Sequence, residues 1–75
     1  MLFHEFFRFS DMTPLTAAAV ATKAEVVEYL ISLPNITKQE KIEALELLGA
    51  SFANDKDNYC LQKAYFYLHI AMEMR

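Results

Sequence analysis

The chain has 75 residues, 55% of them apolar and 13% aromatic, and a formal charge of −3. This length allows one domain at most, burying only about 60% of its unfolded surface, and the apolar content excludes a disordered tail. The acidic balance excludes a general nucleic-acid binder, which needs a basic face, and no apolar run reaches the roughly 18 residues of a membrane span. A single Gly and two Pro favour helices over a meander of short strands. Cys60 is the one cysteine, so an internal disulfide and a cysteine-based metal cage are excluded. Together with the Glu5 and Arg8 that interrupt the N-terminal apolar run where a secretory signal would lie, it points to a reducing intracellular setting, cytoplasmic or nuclear.

Residues 1–11 form a separate apolar segment. Phe3, Phe6 and Phe7 share a helix face, with Leu2 and Phe9 close by. So short a stretch does not hold a helix alone in water. Its phenylalanines therefore either cap the first repeat helix or drive association. Self-association is the expected outcome, because capping in cis orders ten residues at about 1–2 kcal/mol each. Ser10 and Asp11 read as a turn.

Next, Thr13 fits an N-cap and Pro14 the first helical position, where a missing N–H costs nothing. The spacing predicts a helix over 14–21, with Thr16, Ala17, Ala18 and Ala19 slim enough for close helix contact. Thr22 can cap a second helix over 24–33, whose apolar stripe is Val26, Val27, Leu30 and Ile31 and whose Glu25 and Glu28 face water. Pro34 enforces the stop. A turn feeding Thr-Pro-Leu, small residues at a helix contact and then an amphipathic helix is how an ankyrin repeat is written, and one such repeat needs stacked neighbours to bury its apolar face. Thr16 stands where that pattern has His, and Thr22-Lys23 where it has Gly-His, which puts the inter-helix turn in doubt.

Thr37-Lys38-Gln39-Glu40 is a capping box. Thr37 also completes the glycosylation triplet Asn35-Ile36-Thr37, but the cap explains it better. The helix it opens runs to about residue 53, with the stripe Ile42, Leu45, Leu48 and Phe52. Gly49 sits on or beside that stripe. It costs about 1 kcal/mol against Ala in mid-helix, so close approach of a partner helix is expected there. Residues 54–58 alternate carboxylates and amides, yet lack the internal Gly and distal Glu of a calcium loop and read as a solvated turn. The fourth helix is expected over 59–74, with Leu61, Ala64, Tyr65, Leu68, Ala71 and Met72 on one face. Leu45, Leu48-Gly49 and Phe52, followed by Ala64, Leu68 and Ala71, follow the tetratricopeptide pattern, although the loop is about three residues too long for it.

For chemistry there is little. Cys60 and His69 lie nine residues apart on one helix and cannot share a proton, and His4 is remote in sequence. There is no Gly-rich phosphate loop and no paired metal histidines. The expected set of catalytic residues, metal ligands and cofactors is therefore empty. Two features suit protein binding. Glu40, Glu43 and Glu46 form an acidic row at i, i+3 and i+6: either a solvated face or a patch for a basic peptide, such as a substrate tail ending in Arg. Tyr67 lies off the expected core stripe, either as an exposed aromatic contact or partly buried against Tyr29 or the N-terminal phenylalanines.

The run from Ile42 to Asp55, IEALELLGASFAND, is specific, and together with Met12-Thr13-Pro14-Leu15 and Lys23-Ala24-Glu25-Val26-Val27-Glu28 it resembles the feminization (Fem) family of ankyrin-repeat proteins. The resemblance covers residues 12–75. It implies an all-α helical-repeat scaffold, with an ankyrin-type pair over 12–35 followed by a tetratricopeptide-like hairpin over 36–75. Members of that family are substrate receptors of a cullin-RING ubiquitin ligase, so the resemblance implies protein partners. These are ubiquitin-ligase substrates and, for the full-length protein, elongin and cullin. No enzyme, nucleic-acid or membrane role is expected. The resemblance places this chain at the junction of array and helices, without the earlier repeats or the cullin-binding box. The alternative is a truncated or isoform product that keeps the scaffold, lacks receptor activity and self-associates as a homo-oligomer.

Overall fold

The computed structural model describes residues 13–75, which form four helices and no strand. In chain order these are α1 (Pro14–Val20), α2 (Ala24–Ile31), α3 (Lys38–Asn54) and α4 (Leu61–Met74). The fold is all-α, a helical-repeat scaffold of two helix pairs. The expectations for residues 1–11, including the turn at Ser10-Asp11 and the phenylalanine face, lie outside the described residues.

Local chemistry sets three of the boundaries. At α1, the Thr13 side chain accepts from the Thr16 N–H at 3.1 Å, and the Thr13 N–H donates back to Thr16 Oγ1 at 2.9 Å. Thr16, which breaks the ankyrin pattern, thus completes a capping box around Pro14. At α3, Glu40 N–H donates to Thr37 Oγ1 at 3.1 Å while Thr37 N–H donates to Glu40 Oε1 at 2.8 Å. Beyond α3, Asp55 Oδ1 accepts the N–H groups of Asp57 and Asn58 at 2.7 and 2.9 Å, closing an Asx-type turn. Those two bonds hold the Asp55 carboxyl below its usual range, the Asn58 one most.

The turn between α1 and α2 departs from expectation. Thr22 does not cap α2: Lys23 is the N-cap residue, and no side chain bonds there. Instead Thr22 has φ 56°, in the left-handed region. The Thr22 N–H donates to Ala19 O and the Lys23 N–H to Ala18 O, at 3.1 and 2.9 Å. Those two bonds are the Schellman closure of α1, and Thr22 occupies the position glycine favours.

α3 is the organising element. Its backbone packs against α1, α2 and α4, while α4 packs its backbone on α3 alone. Accordingly α3 buries more than one stripe: the expected Ile42, Leu45, Leu48 and Phe52, and also Ala44 and Gly49. Leu48 and Val27 have no exposed surface, and complete burial of such a side chain is worth about 1.5–3 kcal/mol. Val26, read as part of the α2 stripe, is instead 47% exposed.

α3 and α4 run antiparallel. The Cys60 N–H donates to Phe52 O at 3.0 Å, Gly49 lies against Ala64 and Leu68, and Glu46 pairs with Arg75 at the far end. α4 begins at Leu61, two residues later than expected, because that bond holds Cys60 in extended backbone. Its buried face also differs from the expected one. Ala64, Tyr67 and Ala71 face the core, whereas Leu61, Tyr65 and Met72 are exposed. The helix is turned by about one residue, 100°. At the bare backbone of Gly49, α4 comes close enough that an added Cβ would press on the Leu68 side chain and the Ala64 carbonyl oxygen.

Candidate functional site, a groove between α1 and α3

The first turn of α1, the end of α2 and the first two turns of α3 converge on a groove of about 330 Å³. Pro14 and Leu15 come from α1, Leu30 from α2, Ile36 from the connecting loop, and Glu40 and Glu43 from α3. Each is placed by the local chemistry above. The Thr13 cap starts α1 with Pro14 and Leu15 in its first turn, and the Thr37 cap starts α3 immediately after Ile36. The floor is apolar and the α3 rim carries two carboxylates. A second depression of about 350 Å³ continues along α3 beside Glu43, Glu46 and Leu47.

The three glutamates of the acidic row do different things. Glu40 gives Oε1 to the capping box, accepting from both the N–H and the hydroxyl of Thr37 at 2.8 and 3.2 Å. Glu43 Oε2 accepts from Gln39 Nε2 at 2.9 Å. Glu46 accepts both Nε, at 3.1 Å, and Nη2 of Arg75. The row therefore carries one neutralised carboxylate and two, Glu40 and Glu43, with no cationic partner among the described residues. Spacing showed the row; the partner of Glu46 lies 29 positions away and carries no periodic signal.

Tyr67 is corrected. It is 6% exposed, while Tyr65, expected in the core, is 68% exposed. The Tyr67 ring lies parallel to Phe52 at 6.0 Å and meets the Phe66 edge at 5.0 Å. Its hydroxyl donates to Glu28 Oε2 at 2.7 Å, joining α4 to α2. Burial, then the bond to Glu28 and that carboxylate's charge, push the Tyr67 hydroxyl up to about 12. Glu28, read as facing water, is thus also a tie between the two helix pairs. Tyr67→Phe is expected to keep the stacking and lose this bond, destabilising the chain by about 1 kcal/mol in urea denaturation. An unchanged midpoint would show that the bond contributes nothing net.

The Cys60–His69 pairing weighed above does not form. His69 Nε2 lies 3.0 Å from Glu73 on the exposed side of α4, and Cys60 is half-buried at the helix start. Nine residues of helix rise, about 13 Å, separate the two. No cluster of three or more potential metal ligands occurs among the described residues, and no described helix is long and apolar enough to cross a membrane. His4 lies outside the described residues.

No protein-family model matches the chain. Individual proteins do. Protein fem-1 homolog A of Danio rerio is 44% identical over 64 residues, 85% of this chain and 10% of that protein. Protein fem-1 homolog C of Xenopus laevis is also 44% identical over 64 residues, with the same coverage. Protein fem-1 homolog CG6966 of Drosophila melanogaster is 49% identical over 45 residues, 60% of this chain and 7% of that protein. The chain thus spans about a tenth of the length of the relatives it matches. An all-α fold of four helices, together with this identity across most of the chain, shows that it belongs to the fem-1 family of ankyrin-repeat proteins.

Proposed function

We propose that the chain is a protein–protein interaction scaffold and forms part of a substrate-recognition receptor for a cullin-RING ubiquitin ligase. Its setting is intracellular, cytoplasmic or nuclear. The observation that carries this reading is the fem-1 relationship, 44% identity over 85% of the chain, beside the resemblance of IEALELLGASFAND, most of which lies in α3, the helix whose backbone packs against the other three. On this reading residues 12–35 are the ankyrin-type unit, residues 36–75 the tetratricopeptide-like unit, and α3 the joint between them. Substrates, elongin and cullin are partners of the whole receptor. Within this chain Glu40 and Glu43 are the contacts offered to a partner. Glu46 is held by Arg75, and Tyr67 is committed to packing.

The test is capture of the tagged full-length gene product from cells, with elongin supplied or depleted. Elongin-dependent recovery of a cullin is the expected result, and recovery of none under either condition would sink the receptor reading. A second reading, a scaffold without receptor activity that self-associates, is favoured by the exposed apolar stripe Leu61, Tyr65 and Met72 on α4. Sedimentation of the 75-residue chain at micromolar concentration separates the two: concentration-dependent association supports the second reading, and a persistent monomer removes it.

A further inference from the structure

We propose that the groove between α1 and α3 takes an internal cationic and apolar stretch of a partner polypeptide, not a chain end. This rests on the scaffold reading above and adds the chemistry of the partner. The floor comes first. Leu15, Leu30 and Ile36 arrive from three separate segments and leave an apolar trough of about 330 Å³, at the small end of the range for a built ligand pocket. The α3 rim comes second. Glu40 and Glu43 stand three residues apart on α3, neighbours on one helix face. Each spends only one carboxylate oxygen, Oε1 on Thr37 and Oε2 on Gln39, and keeps the other. Neither is neutralised by a cation among the described residues, in contrast to Glu46, which Arg75 holds.

A side chain that suits both surfaces has an apolar stem and a cationic head. Lys and Arg lay such stems along apolar ground while the head stays at the polar edge. An aliphatic neighbour in the partner fills the rest of the floor. The third observation sets the polarity of the partner chain. No lysine, arginine or histidine is among the described residues lining the groove. A terminal carboxylate would lie beside two carboxylates with no cation among the described residues to receive it, and like charges at that range disfavour it. An internal segment carries no such charge. The groove therefore selects the middle of a basic chain over its end.

The probe is a fluorescein-labelled nonapeptide of alternating leucine and arginine with an amidated C-terminus, titrated with the full 75-residue chain and followed by polarisation. Saturable binding that weakens with salt is expected, as for exposed charge pairs. The same peptide with a free carboxylate at its final residue should bind no more tightly, and a leucine–glutamate peptide should not bind. Glu40→Gln with Glu43→Gln should weaken binding about fivefold, the scale of two exposed ion pairs, and flatten the salt dependence. Gln keeps the capping box, and circular dichroism checks that the fold persists. Glu25→Gln, away from the groove, should leave affinity unchanged.

Absence of saturable binding, equal affinity in the double variant, or preference for the free carboxylate end would each overturn the proposal. Binding that appears only once residues 1–12 are removed assigns the groove to the chain's own N-terminal segment. Binding that competes with dimerisation assigns it to a second copy. Either result overturns the proposal too. Elongin-dependent cullin recovery with no peptide binding removes the groove and leaves the receptor reading standing; peptide binding without that recovery removes the receptor reading and leaves the groove on its scaffold.

Discussion

Gly49→Leu is expected to destabilise the chain by about 1–3 kcal/mol, the usual range for overpacking. In a domain of this size that lowers the thermal midpoint by about 4–8 °C for each kcal/mol. The reason is local. A Cβ added at Gly49 would lie 2.7 Å from Leu68 Cγ, 3.0 Å from Leu68 Cδ2 and 3.0 Å from the Ala64 carbonyl oxygen. Leu68 is half-buried, and its nearest atom is the branch carbon Cγ and not the far end, so the whole side chain must rotate to make room. The Ala64 oxygen is backbone and moves only if α4 moves. Alanine at this position sets two effects against each other: about 1 kcal/mol gained in helix propensity and the push against Ala64. Gly49→Ala should therefore fall between wild type and Gly49→Leu. Leu68→Ala should rescue part of the leucine variant's loss and so give a non-additive double-mutant cycle. A Gly49→Leu chain that melts at or above the wild-type temperature would show that the two helices do not meet there.

Thr22→Gly should stabilise the chain, by about 1 kcal/mol or somewhat more. A β-branched residue at φ 56° is strained, and non-glycine residues held in the left-handed region cost on the order of 1–3 kcal/mol. Glycine removes the strain and keeps both backbone bonds of the α1 closure, from Thr22 N–H to Ala19 O and from Lys23 N–H to Ala18 O. Two losses reduce the gain. The Thr22 hydroxyl gives up its bond to Ala21 O at 2.5 Å, and glycine adds freedom to the unfolded chain. Thr22→Ala isolates the terms, because it loses the hydroxyl and keeps a Cβ. It should be no more stable than wild type. If Thr22→Gly melts lower than Thr22→Ala in urea or heat, the left-handed turn is wrong.

Both positions show how sequence and structure divided the information. The helix starts were legible because caps act over three or four residues. Thr13-Pro14 and Thr37 to Glu40 carry the whole hydrogen-bond pattern within one turn of chain. The buried stripe Ile42, Leu45, Leu48 and Phe52 was legible for a similar reason, since only one apolar period runs along that helix face. The ankyrin pattern also marked residue 22 as a glycine position, and the backbone kept the glycine conformation after the residue had changed.

The sequence by itself thus determined the all-α class, the caps, the α3 stripe, the need for a close neighbour at Gly49 and the family. Only the tertiary structure decided which side of α4 is buried. Ala64 and Ala71 are buried as expected, but they flank two stripes of the same spacing: one continues through Tyr67 and Met74, the other is Leu61, Tyr65, Leu68 and Met72. Periodicity cannot rank them, and apolar size favours the second, which is why Tyr65 and not Tyr67 reads as core. The structure buries the first, with Ala64, Tyr67 and Ala71 in the core, while Leu68 from the second lies over the bare backbone of Gly49. The groove has the same origin. Leu15, Leu30 and Ile36 meet Glu40 and Glu43 only when α1, α2 and α3 have packed. Which glutamates stay uncompensated depends on Arg75 reaching Glu46 across 29 residues of chain, a contact that packing creates and local pattern does not encode.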